Sequence, residues 1–152
     1  INGGLLQSFI NDDGNDIDYD GSGASLNIGY KWELNPTWLL GIEAETLYLG
    51  QFYDADFSAF AVNAIAEHPF NNKFSITAKI GTATEDFTIN NTDYSTDSTV
   101  ALGTSLLYHW SPKWAAYASY DHIFGDSLGD WDVPDNDALS VDTIGLGVQY
   151  TF

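Results

Sequence analysis

The sequence predicts an all-β protein, an eight-stranded antiparallel up-and-down transmembrane β-barrel. Three observations support this fold class. Apolar residues alternate with small or polar residues along segments of mostly 10 to 13 residues, a length that suits a tilted strand in a bilayer better than an average globular strand. The connections between the segments alternate between short proline turns and longer acidic stretches. Aromatic residues collect beside the short turns, as they do at a membrane–water boundary.

The alternation predicts eight strands, and the last strand shows it most clearly. Its apolar residues from Ile144 to Phe152 share one face, and its small or polar residues from Thr143 to Thr151 share the other. A barrel in a membrane turns the apolar face towards lipid. The pattern is weaker in the fourth strand and ambiguous in the first. The predicted strands lie near 2–10, 23–33, 38–49, 57–68, 73–84, 98–110, 114–124 and 139–152.

The seven connections indicate which end of the barrel faces which compartment. Short turns at 33–37, 68–72 and 111–113 alternate with longer connections. Antiparallel pairing places all short turns at one end, as in outer-membrane barrels with short periplasmic turns and long external loops. Four acidic clusters in the long connections hold 16 of the 22 acidic residues: Asp12, Asp13, Asp16, Asp18 and Asp20; Asp54 and Asp56; Glu85, Asp86, Asp93 and Asp97; Asp126, Asp130, Asp132, Asp135 and Asp137.

Aromatic residues flank the short turns and predict a periplasmic girdle at the membrane boundary. The alternative is that they form the core of a soluble sandwich, but their recurrence at the same end of nearly every strand favours the girdle. The girdle consists of Trp32, Trp38, Phe70, Phe74, Trp110, Trp114 and Phe152.

Composition bounds the remaining possibilities. The 152 residues are expected to form a single domain, 1–152. The chain has no cysteine, and no run of 18 apolar residues that could form a transmembrane helix. The net charge of −18 argues against binding to nucleic acid. No signal peptide is visible and Ile1 lies almost at the start of a strand, so we expect a leader and a few further residues to be absent.

Three segments carry a resemblance to a known family. Gly23–Trp32, Trp38–Glu45 and Gly145–Phe152 resemble the small eight-stranded outer-membrane proteins of the OmpA transmembrane-domain, OmpX and opacity-protein type. The resemblance implies a monomer in the outer membrane of a Gram-negative bacterium, with a periplasmic C-terminus and with membrane lipid and lipopolysaccharide as its surroundings. It also implies that the barrel assembly machinery reads the strand ending at Phe152. OmpA-type chains continue into a periplasmic domain, whereas the final phenylalanine favours a barrel-only protein.

The inward faces of the strands predict a polar and charged cluster in the lumen. An eight-stranded barrel is just wide enough to be filled by side chains. The cluster either balances its own buried charges, which are costly when unpaired, or gates a narrow ion channel. Its members are Lys31, Glu43, Glu45, Asn63, Glu67, Lys79 and Asp121.

One acidic segment matches the start of a calcium-binding loop. Asp16, Asp18 and Asp20 precede Gly21 in the spacing D-x-D-x-D-G, in which alternating carboxylates surround a hard cation. The twelfth position is Asn27 instead of glutamate, which departs from that motif. We therefore expect no tightly bound cofactor, with loosely bound Ca²⁺ or Mg²⁺ as one alternative and a solvated acidic loop as the other.

The histidines do not form a recognisable catalytic motif. His122 is near Asp121 and Asp126 in sequence, but adjacent strand residues point to opposite faces. His68 and His109 lie near the short-turn end. We therefore predict a non-catalytic protein with a role in envelope integrity or in surface interaction through four acidic loops. Two alternatives stay open: a narrow ion channel or small porin, and a soluble lipocalin-like ligand-binding barrel.

Overall fold

The computed structural model describes residues 1–12, 19–52, 55–89, 92–95, 98–124 and 139–152. Within these residues there is no helix long and apolar enough to cross a membrane. All eight predicted strands are present, together with one additional short strand, β6. The strands are β1 (Asn2–Asp12), β2 (Tyr19–Asn35), β3 (Trp38–Phe52), β4 (Ala55–Pro69), β5 (Phe74–Ile89), β6 (Thr92–Ser95), β7 (Thr99–His109), β8 (Trp114–Ile123) and β9 (Leu139–Tyr150).

Eight of these strands form a closed antiparallel barrel, as the sequence predicts. Each long strand pairs with the next long strand along the chain, and β5 pairs directly with β7. β1 pairs with both β2 and β9, which closes the sheet. Closure matters in a membrane because lipid offers no hydrogen bonds to an open sheet edge. The short β6 extends only the outer end of β5.

The three short turns are held by polar side chains. Asn35 and Asn71 each accept, through Oδ1, a hydrogen bond from the backbone N–H two residues later, at 2.9 and 2.8 Å. Ser111 Oγ accepts from the N–H of Lys113 at 3.3 Å. Such side chains replace the missing partners of a tight turn. All three turns lie at the same end of the barrel, as the sequence predicts.

The apolar faces of the strands point outward. On β1, Leu5 is 74% exposed whereas its neighbour Leu6 is 7% exposed. A water-soluble barrel would bury the apolar face, so the lipocalin-like alternative is wrong. An apolar surface of this extent requires lipid as its solvent. Other large outward-facing residues are Leu26, Ile28, Ile42, Val62, Ile80, Leu106, Ile144 and Leu146.

The strands extend further at the outer end than the sequence predicts. β3 continues to Phe52 and pairs there with Ala55, the first residue of β4. The prediction of a long loop around Asp54 and Asp56 is therefore wrong, since only residues 53–54 separate the two strands. Beyond the bilayer both faces of a hairpin meet water, so backbone pairing continues without the apolar alternation on which the prediction depended.

The third acidic cluster also lies largely in strands. Glu85 and Asp86 belong to β5, and Asp93 belongs to β6, which pairs back onto β5 from Thr92 onwards. The prediction of a loop is corrected for these residues. In the first cluster, Asp12 belongs to β1 and Asp20 to β2, so the predicted loop is shorter. Asp13, Asp16, Asp18, Asp54, Asp97 and the whole fourth cluster lie outside the described residues.

Candidate functional site in the barrel interior

A lysine lies between two carboxylates in the middle of the lumen. Lys79 Nζ is 2.6 Å from Glu45 Oε2 and 2.9 Å from Asp121 Oδ1. These groups come from β5, β3 and β8, so the contacts cross the barrel interior. All three side chains are largely buried. One ammonium group therefore balances charge on two carboxylates that would be costly if left unpaired.

Asn27 connects this lysine site to a further glutamate, and Asn63 binds Glu45 beside it. Asn27 Nδ2 donates to Glu43 Oε1 at 3.2 Å and to Glu45 Oε1 at 3.1 Å. Asn63 Nδ2 donates to Glu45 Oε2 at 3.2 Å. The described lumen contains fewer cations than carboxylates, so the neutral amide groups supply hydrogen-bond donors that the lysines cannot. We call this set the central cluster: Asn27, Glu43, Glu45, Asn63, Lys79 and Asp121.

A second cluster lies nearer the periplasmic turns. Lys31 Nζ is 2.6 Å from Glu67 Oε2 and donates to Gln149 Oε1 at 3.4 Å. Ser75 Oγ donates to Glu67 Oε1 at 2.6 Å and lies 2.9 Å from His109 Nε2. Because the serine proton is used by the glutamate, His109 Nε2 is the donor in that contact. We call this set the mouth cluster: Lys31, Glu67, Ser75, His109 and Gln149.

The two clusters contain all seven lumen residues that the sequence predicts, and they add others. Sequence reasoning missed Ser75 and His109 as members. The available signal was parity, since Ser75 shares the inward face of β5 with Lys79. Whether the clusters serve stability alone or also control ion passage stays a prediction.

Small inward-facing residues leave room for the larger polar ones. The ring and hydroxyl of Tyr117 lie over two glycines, because a Cβ at Gly4 would be 2.6 Å from the tyrosine hydroxyl and one at Gly147 would be 2.6 Å from Cζ. Gly4 on β1 and Gly147 on β9 therefore have a packing role. Large polar side chains therefore occupy the space that the glycines leave in the lumen.

An apolar layer, which was not predicted from the sequence, fills the outer half of the lumen. On β3, Leu47 and Leu49 follow Glu45 towards the outer end and are buried inside the barrel. The layer consists of Leu6, Leu47, Leu49, Ala59, Ala61, Ala83, Ala101, Ile123 and Val141. A cavity of about 30 Å³ lies beside the central cluster, enough for about two water molecules. The described interior is thus packed, which does not favour the narrow-channel alternative.

The predicted girdle residues are exposed and lie at the periplasmic end. Trp110 and Trp114 stack across one turn with ring centroids 6.3 Å apart. Trp38 packs against His68 at 4.8 Å, and Phe74 against Tyr108 at 5.2 Å. Sequence reasoning missed the tyrosine and histidine partners, which lie on the same outward face. Their amphipathic rings suit the membrane boundary for the same reason as tryptophan.

The predicted calcium ligands cannot be placed. Asp16, Asp18 and the side chain of Asp20 lie outside the described residues. Among the side chains that the structure describes, no group of three or more histidine or acidic residues could hold a metal ion.

His122 has a different carboxylate neighbour from the two considered in the sequence. Its Nδ1 lies 2.8 Å from Asp142 Oδ1, on the outward face of β8 and β9. Asp121 points into the lumen instead. No serine or cysteine contact to His122 occurs among the described residues, so the pair lacks a side-chain nucleophile.

A closed eight-stranded barrel with an apolar exterior and an aromatic girdle defines an integral protein of the bacterial outer membrane. The family described as outer membrane protein beta-barrel domain matches residues 1–152, and the chain belongs to this family. The predicted outer-membrane location is thereby confirmed. No curated protein sequence matches the chain.

Solved structures show the same fold at low sequence identity. Ail, the attachment invasion locus protein of Yersinia pestis, is 23% identical, with 99% of this chain and 95% of that chain covered and a TM-score of 0.68. Neisserial surface protein A is 14% identical, with 99% and 95% covered and a TM-score of 0.67. The outer membrane enzyme PagL is 10% identical, with 98% and 99% covered and a TM-score of 0.53. Since this fold occurs in an enzyme as well, the fold alone does not decide catalysis.

Proposed function

We propose that this protein acts without catalysis at the cell surface, in envelope integrity or in contacts made by its outer end. The observation that carries the proposal is the unequal height of the barrel wall. β3 has 15 residues and β7 has 11. At about 3.3 Å per residue and a tilt of roughly 40°, they rise about 38 and 28 Å, against an apolar band of about 25 Å. The hairpin of β3 and β4 therefore projects roughly 13 Å beyond the band.

The packed interior supports the non-catalytic part of the proposal. Lys31 and Lys79 are each paired with carboxylates, and the cavity of about 30 Å³ beside the central cluster is too small for an organic substrate. A larger pocket of about 270 Å³ lies beside Lys31 and Gln149, at the periplasmic rim. The outward pair of His122 and Asp142 lacks a side-chain nucleophile among the described residues. What remains for function is the projecting wall and its charge.

Charge constrains which partners the outer end could take. Ail has been solved in complex with the heparin analogue sucrose octasulfate, a polyanion. The present chain carries a net charge of −18, which would repel such a ligand. We expect cationic partners instead, or Ca²⁺ and Mg²⁺ bridging acidic residues to lipopolysaccharide phosphates. Recognition by the barrel assembly machinery and a monomeric state stay predictions.

The proposal is tested in cells that produce or lack the protein. Three readouts are compared: resistance to detergent, adhesion to a cationic surface, and the composition of outer-membrane lipids by mass spectrometry. A variant in which a two-residue turn replaces residues 50–57 is expected to lose adhesion while it keeps heat-modifiable gel migration. A change in lipid composition that depends on the protein would indicate an enzyme. Unchanged detergent resistance and adhesion in cells lacking the protein would also contradict the proposal.

A further inference from the structure

A polar cluster on the lipid-facing side of β8 and β9 belongs to neither the girdle nor the lumen. Tyr120, His122 and Asp142 lie on the same outward face as Ile144 and Leu146, which are exposed. Between the girdle and the outer rim, Asp142 is the one outward-facing carboxylate among the side chains that the structure describes. A carboxylate that faces hydrocarbon is costly, so its height in the membrane decides its surroundings.

The cluster lies just inside the outer edge of the apolar band, within reach of the outer-leaflet head groups. His122 is eight residues along β8 from the girdle residue Trp114. At about 3.3 Å per residue and a tilt of roughly 40°, this separation is about 20 Å, close to the far edge of an apolar band about 25 Å tall. The polar groups therefore face head groups and the first part of the acyl region.

The hydrogen bonds of the cluster leave two polar atoms unused by it. Tyr120 Oη donates to Asp142 Oδ1 at 2.6 Å, and His122 Nδ1 lies 2.8 Å from the same oxygen. Neither contact uses Asp142 Oδ2. The contact of Nδ1 with the carboxylate leaves Nε2 on the opposite side of the ring, outside the hydrogen bonds of the cluster.

Two aromatic rings flank these atoms. Phe124 packs edge-on against His122, with ring centroids 4.3 Å apart and an interplanar angle of 85°. Its backbone is fixed because its N–H donates to Val100 O at 2.9 Å and its carbonyl accepts from Thr99 Oγ1. Tyr120 and Phe124 are 46% and 43% exposed, so each presents an apolar face outward.

We propose that Tyr120, His122, Phe124 and Asp142 form a binding site for a sugar ring of an outer-leaflet glycolipid. A sugar ring combines hydroxyl groups, which both donate and accept and so suit Oδ2 and Nε2, with an apolar C–H face, which suits the aromatic rings. A phosphate group is repelled by the carboxylate of Asp142. The proposal depends on the outer-membrane location and not on the surface role proposed above, so the two can fail separately.

The test follows His122 by NMR in the unmodified protein. The histidine rings are labelled with ¹³C, and the protein in detergent micelles is titrated separately with rough-type lipopolysaccharide, phosphatidylglycerol and phosphatidylethanolamine. The His122 ring signals are expected to shift and saturate with lipopolysaccharide alone. Asp142→Ala is expected to weaken the apparent affinity about tenfold, which is the scale of one hydrogen bond to a charged group.

A matched control and three outcomes make the test decisive. Thr46→Ala removes an exposed outward hydroxyl on β3, on the opposite side of the barrel from β8, and is expected to leave the titration unchanged. Equal shifts with phosphatidylethanolamine would indicate an ammonium site and overturn the proposal. Equal shifts with all three lipids, or none with lipopolysaccharide, would also overturn it. The measurement on the unmodified protein stays valid even if a variant fails to fold.

Discussion

Lys79 and Asp121 form a 2.9 Å ion pair that passes over Gly103. Lys79 is the register partner of Gly103 on β7, and Gly103 is the register partner of Asp121 on β8. A Cβ at position 103 would overlap Asp121 Oδ1 and lie 2.5 Å from Lys79 Cε. The missing side chain of the middle strand is therefore what lets two non-adjacent strands exchange charge.

Replacing this glycine is expected to disturb the central cluster. Gly103→Ala should lower the free energy of unfolding by about 1–3 kcal/mol, the range for overpacking a filled interior. The measurement is a urea titration in detergent or lipid vesicles, followed by tryptophan fluorescence. Gly3→Ala is the control, because a Cβ there meets no atom nearer than 3.8 Å and should change stability by less than about 0.5 kcal/mol. Equal losses in both variants would contradict this account.

Removing the lysine itself should cost more. Lys79→Met leaves Glu45 and Asp121 without their cation and should destabilise the barrel by about 3–5 kcal/mol, as breaking one side of a buried ion pair does. Adding Asp121→Asn should restore part of the loss, since one buried charge is then neutral. Lys73→Met, in an exposed periplasmic turn, is the control and should have little effect. If Lys79→Met were as stable as the control Lys73→Met, the central cluster would have no stabilising role.

The apolar layer predicts that the resting barrel does not conduct ions. In planar bilayers the unmodified protein should show no steady conductance steps, because the described lumen is packed on the outer side of the central cluster. Shrinking the layer with the double substitution Leu47→Ala and Leu49→Ala should produce measurable steps. Leu26→Ala, which changes a lipid-facing residue, is the control. Steady, ion-selective conductance by the unmodified protein would instead support the narrow-channel alternative.

The strand pattern and the short turns could be predicted because they follow from local chemistry. The alternation of apolar residues along a strand, and the proline or asparagine in a short turn, can each be recognised from residues that are close together in the sequence. The apolar layer was missed for a related reason. Leu47 and Leu49 share the inward face of Glu45, yet the predicted lumen includes only the polar residues of that face. The alanines that complete the layer carry almost no hydrophobic signal in the sequence.

Contacts between distant strands could not be predicted, because they depend on register. Asp142 meets His122 only because β8 and β9 pair with these two residues opposite each other. The connection between them spans residues 124–138, and its length leaves the register open in the sequence. The outer extension of β3 and β4 was missed because pairing in water needs no apolar alternation.

The depth of the girdle provides a direct test of how the barrel sits in the membrane. Four of the five tryptophans belong to the girdle, so fluorescence quenching by brominated lipids reports mainly on its depth. In a Trp131→Phe background, quenching should be stronger for bromines near the head groups than for bromines near the end of the acyl chain, because indole rings favour the interface. Introducing Ile28→Trp, at an exposed position within the apolar band, should add a signal that is quenched more strongly by deeper bromines. If the girdle tryptophans were quenched best at the bilayer centre, or not at all, the proposed placement of the periplasmic boundary would be wrong.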